Sequence, residues 1–146
     1  MKKILILFVL FFSFNMAANA TATAEIQNCS VKDYKEYIAR RYMTHGFAVQ
    51  FPNDYSITAT KEINNTGTRI LMKMLDGAKT NNRMETVFNY NFIQNGSNIL
   101  TQLTITAVSD SGTVMQKITN IDSQIEVNEL NAVNNDFIGT LNSNDK

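Results

Sequence analysis

Apolar residues recur along this chain with two different periods, and each change of period marks an element. Val31, Tyr34, Ile38 and Tyr42 fall on one stripe of a 3.6-residue repeat, while Lys32, Lys35, Glu36, Arg40 and Arg41 lie mostly off it. Ser30 suits the N-cap, with Asp33 at the third helical position, where a carboxylate can reach back and meets the positive end of the helix. Cys29, just outside the cap, can pack on Tyr34. Gly46 suits a left-handed helix end and Phe47 can close over Tyr42, as in a Schellman motif. The pattern predicts a helix over 31–44.

The period then drops to two. Phe47, Val49 and Phe51 predict a first strand, Pro52-Asn53-Asp54 a turn, and Tyr55, Ile57 and Ala59 a second strand. Ile70, Met72 and Met74 predict a third, followed by a loop over 76–82. Met84, Thr86, Phe88, Tyr90 and Phe92 mark the inward face of a fourth strand. Ile99, Thr101, Leu103, Ile105 and Ala107 mark that of a fifth, with Asn95-Gly96 as the hairpin turn between them. "TVMQKI" suits a short sixth strand, although 113–127 reads equally as strand or helix. Leu130, Val133, Phe137 and Leu141 have helical spacing, and Ser123 with Glu126 makes a capping-box pair, which predicts a second helix over about 123–141.

The expected fold class is α+β: an N-terminal helix, an antiparallel meander of five or six strands and a C-terminal helix, stacked as a two-layer sandwich. Ahead of it, Lys2 and Lys3, the apolar run Ile4 to Phe14 and Ala18-Asn19-Ala20 have the form of a secretory signal peptide over 1–20. The run is well short of the ~20 residues that cross a bilayer. Residues 21–29 read as a flexible leader, 30–141 as a single domain and 142–146 as a tail. The expected location is therefore extracytoplasmic, periplasmic or secreted, with no membrane span after cleavage.

Charge adds little. The 146 residues balance 13 basic against 13 acidic side chains, and loss of Lys2 and Lys3 with the signal leaves the mature chain slightly acidic. No basic stripe suggests a nucleic-acid partner. Cys29 is the one cysteine, so the fold is expected to stand on packing without an internal disulfide; pairing between chains stays open.

The densest run of candidate chemistry is "IARRYMTHGFAVQF". His45 is the only histidine, with no second histidine and no cysteine near it in sequence, and no G-x-S-x-G elbow exists for a hydrolase. Arg40, Arg41 and His45 fit the negative end of the helix dipole, which leaves them as a possible anion contact rather than a catalytic set. Met72 and Met74 fit core spacing better than copper ligation. No metal or cofactor is expected. Outward on the fourth and fifth strands, Val87, Ile93, Leu100 and Val108 form a candidate apolar interaction face. Either the second helix crosses to cover it or it is open to a partner.

The expected function is a small, non-enzymatic binding or accessory protein of the bacterial envelope, acting on another envelope or secreted protein through its sheet face or a strand edge. One alternative is a small apolar-ligand module with a cavity between helix and sheet lined by Met74, Phe88, Tyr90 and Phe92; a remoter one is a hydrolase using His45.

Overall fold

The structure is a computed structural model, and it describes residues 21–64, 83–109, 111 and 116–144. The predicted signal peptide, the third strand at 70–75 and its loop, and Met72 and Met74 lie outside the described residues. Two helices and six strands are present among those described: β1 (Ala22–Ile26), α1 (Val31–Thr44), β2 (Ala48–Asn53), β3 (Ser56–Glu62), β4 (Met84–Asn95), β5 (Asn98–Ser109), β6 (Lys117–Asn120) and α2 (Ser123–Asn144). All strand pairings are antiparallel, in the order β1-β5-β4-β3-β2, with β6 also on β5.

α1 forms as its sequence predicts. The Ser30 hydroxyl accepts from Asp33 N at 3.1 Å and donates to the Asp33 carboxylate at 2.6 Å. The free N–H of Val31 is taken by Gln94 Oε1 of the β4–β5 hairpin at 3.2 Å, so a residue 63 positions away finishes the cap. At the other end, Phe47 N donates to Tyr42 O and Gly46 N to Met43 O, both at 3.0 Å, with Gly46 at φ 78°. This is the Schellman pattern, and the Tyr42 and Phe47 rings meet edge-on at 5.0 Å.

β4 and β5 pair from Met84↔Ser109 to Asn95↔Asn98. The turn residues are Gly96 and Ser97, one place later than the Asn95-Gly96 signal implies. Gly96 has φ 60° and Ser97 does not share the positive sign, the Gly-first pattern of a II′ turn. Across the sheet, Ile57, Tyr90, Leu103 and Ala22 form one row. With Ala59, Phe92, Ile99 and Ile105 they build the core, and Tyr34, Ile38 and Tyr42 of α1 join the same cluster as Leu130, Val133 and Phe137 of α2. The second helix therefore does not cross to the other side of the sheet.

Three sequence expectations need correction, and one stretch left open between strand and helix is resolved. First, the flexible leader is a strand: β1 pairs Ala22↔Leu103 to Ile26↔Ile99 and buries Ala22 and Ile26, so α1 is preceded by a strand. Second, Phe51 and Tyr55 do not pack into the core. The β2–β3 ladder is interrupted by a register shift between Gln50 and Asn53, and both rings lie exposed at the rim beside the first turns of α1, Tyr55 in the turn before β3. Third, the Ser123–Glu126 capping box does not form. Asp122 caps α2, its carboxylate accepting from Gln124 N at 2.7 Å, and Glu126 turns inward. In the open stretch, 117–120 is strand and 123 onward is helix, so it divides at Asp122.

Candidate functional site

The three regions singled out by the sequence occupy different parts of the molecule. At the end of α1, Arg40, Arg41 and His45 do not converge. Arg40 is exposed and lies 3.9 Å from Glu36. Arg41 is held by the Asp136 carboxylate of α2. Burial pulls its guanidinium down, but Asp136 and Glu129 outweigh that and hold it above its ordinary value. The exposed His45 is the C-cap; its Nδ1 bonds the Arg41 carbonyl at 2.7 Å, and its own carbonyl accepts from Lys61 Nζ at 2.6 Å. Chemically this is a helix terminus whose orphan carbonyls are satisfied by side chains at Arg41 and His45 and by the backbone N–H groups of Gly46 and Phe47 at Met43 and Tyr42.

The covered face of the sheet carries a polar network that no spacing rule predicts. Tyr34 donates to the Asn134 side chain. The Tyr42 and Tyr90 hydroxyls are 2.8 Å apart, and Tyr42 donates to Glu129 Oε1 at 2.9 Å. Burial pushes all three tyrosine hydroxyls up, so they stay neutral donors.

Glu126 is the deepest acid among the described residues, only 1% exposed, and its Oε1 accepts from Ile105 N at 2.7 Å. Its position follows from the sheet. β1 stops at Leu103 and β6 starts at Thr106 on the same rim of β5. Between them Ile105 would be left unpaired; Ile121 N fills its carbonyl at 3.0 Å and Glu126 its N–H. The second Glu126 oxygen has no partner among the described residues.

The opposite face contains the predicted apolar patch, and register divides it. Ile93 pairs with Leu100 at the hairpin end, whereas Val87 pairs with Thr106 three rows away, with Asn91/Gln102 and Asn89/Thr104 between them. Val108 does not belong to an open face. It is 7% exposed, opposite Ile118 and beside Glu85, whose carboxylate takes Arg83 at 2.8 Å and Ser111 at 2.6 Å. What remains is a field of Thr23, Thr58, Thr60, Asn89, Asn91, Gln102, Thr104 and Thr106, all exposed or half-buried, with Ile93 at 51% exposure at its end.

Cys29 is half-buried against the core. Burial and the nearby Asp33 charge raise its thiol, which disfavours a reactive thiolate. Among the described residues no cluster of three or more His, Cys, Asp or Glu is placed to hold a metal, and no helix is long and apolar enough to cross a membrane. Tyr90 and Phe92, expected to line a ligand cavity, stack on each other at 6.4 Å and pack against the rings of Tyr42 at 5.9 Å and Tyr34 at 5.8 Å respectively. Phe88 instead faces an open groove of about 380 Å³ with Phe47, Thr86 and Ile63. No family model matches the chain, and no curated protein matches its sequence.

Proposed function

We propose that this chain is a small, non-enzymatic binding or accessory protein of a bacterial envelope, exported by its N-terminal apolar segment and acting on another envelope or secreted protein through one face of its sheet. In finer architectural terms we read it as a two-layer α+β sandwich. One observation carries the functional reading: the face away from both described helices holds an exposed isoleucine, paired with Leu100, at the end of a field of threonine and amide side chains. An apolar pair, exposed at Ile93, that borders neutral hydrogen-bonding groups, with Glu25 at its margin, has the make-up of an interface core with a polar rim. The β2 edge is the weaker surface, because Pro52 and the register shift both interrupt a strand that would pair with another chain. An apolar-ligand role would use the Phe47–Phe88 groove.

The test places a photo-crosslinking residue at Asn91 on the sheet face, and separately at Arg40 on α1, in the cells that make the protein. The expected outcome is a discrete adduct from Asn91 that is lost when Ile93→Asp is added. Adducts from Arg40 alone would overturn the assignment.

A further inference from the structure

The groove between the first two turns of α1 and the β2–β3 turn has no role in the reading above, and its make-up points to a ligand. Phe51 and Tyr55 stand on either side of Pro52-Asn53-Asp54 and are 51% and 58% exposed. With Val31, Lys32, Lys35, Glu36 and Asp54 they line an open groove of about 520 Å³. Both aromatic rings are offered to solvent by a backbone that is held in place. Lys35 Nζ donates to Asn53 O at 2.9 Å and Asp54 O at 3.0 Å and lies 5.3 Å from the Phe51 ring centre. Tyr55 N donates to Asn53 Oδ1 at 2.8 Å, and Tyr55 O accepts from Phe92 N at 2.9 Å. A pre-organised surface of this kind loses little freedom on binding.

The charges select among ligands. Lys32 and Lys35 offset Glu36 and Asp54, so a polyanion meets two carboxylates and a polycation meets two ammonium groups. The Lys32 ammonium and the Asp54 carboxylate have no hydrogen-bond or ion-pair partner among the described residues. A matching ligand is neutral, has an apolar face for the two rings, and has a rim of groups that both donate and accept. A pyranose ring meets each requirement: its C–H face stacks on an aromatic ring and its hydroxyls can accept from an ammonium and donate to a carboxylate. We propose that this groove is a binding site for a neutral oligosaccharide, stacked on Phe51 and Tyr55 and hydrogen-bonded by Lys32 and Asp54. The proposal does not depend on the sheet-face reading.

The test follows backbone amide shifts of the exported, purified protein on titration with tetramers of glucose and of N-acetylglucosamine, and with a heparin fragment. At least one neutral tetramer is expected to move the amides of Lys32, Lys35, Asp54 and Tyr55 saturably. Phe51→Ala with Tyr55→Ala is expected to weaken that binding about tenfold or more. Lys32→Gln, an exposed change that keeps both rings, is expected to weaken it about threefold and decides the matter if the double variant does not fold. The proposal is overturned if neither tetramer moves these amides, if a folded double variant binds as well as the parent, or if heparin binds the groove as tightly as the neutral sugars.

Discussion

The two faces of the sheet use polar residues in opposite ways. On the covered face, Tyr34, Tyr42, Tyr90 and Glu126 are buried, and each reaches a defined partner in the helices or on the β5 rim. On the other face, Thr104, Thr106, Asn91 and Gln102 are partly or fully in contact with solvent. A buried donor without a partner costs ~1–3 kcal/mol, whereas an exposed one finds water. These four side chains on the covered face are thus fixed by stability, and the exposed polar groups on the other face are free to serve recognition.

The sharpest way to break this contrast is at β1. If β1 is part of the covered layer, Ile26→Ala should cost about 2–5 kcal/mol in chemical denaturation. A change within about 0.5 kcal/mol, as expected of an exposed leader, would return Ala22–Ile26 to the role the sequence first suggests.

Next comes Glu126. Removing its carboxylate strands Ile105 N, so Glu126→Ala is expected to cost about 1–3 kcal/mol. Glu126→Gln, which keeps an acceptor, should cost less. Equal losses in the two variants would show that the bond to the β5 rim does not matter and that only side-chain volume does.

The tyrosines sharpen the comparison through pH. Their folded ionisation lies above the ordinary value of about 10, so above that pH the folded chain binds more protons than the unfolded one. Stability is then fully present below about pH 10 and falls as pH rises towards the folded values, by roughly 1 kcal/mol per unit for each such tyrosine. Denaturation midpoints measured from about pH 8 to about pH 11 test this, and Tyr90→Phe should flatten the fall. A midpoint independent of pH over that range would mean that the hydroxyls are accessible in the folded state.

The smallest effect is expected on the open face. Thr104→Val should change stability by no more than about 0.5 kcal/mol. A loss as large as that of Glu126→Ala would mean that Thr104 is engaged by structure and that the face is not free.

Much of this was legible in the sequence because it is local. α1 needs only its stripe, Ser30 and Gly46. The β4–β5 hairpin needs only alternation and a turn glycine, and α2 only the spacing of Leu130, Val133 and Phe137. The candidate sites were less legible. His45 with its two arginines looked like a cluster because the residues are adjacent in sequence, yet each side chain takes a different partner. Val108 fits an outward alternation but is buried beside Glu85, and Phe51 keeps the side of α1 but lies exposed at the rim, beside Lys35, instead of packing into the core. The Phe51–Tyr55 groove could not be read at all, since alternation placed both rings in the core.

The sequence by itself determined the helices, the two long strands and which of their faces is apolar, because these depend on side-chain spacing along one segment. Only the tertiary structure decided that 22–26 is a strand, that Glu126 belongs to the sheet rather than to a helix cap, and that two aromatic rings are left in water. Each of those depends on which backbone groups another segment leaves unpaired. "ATAEI" becomes a strand only beside the open rim of β5, and Glu126 turns inward where β1 and β6 leave Ile105 between them.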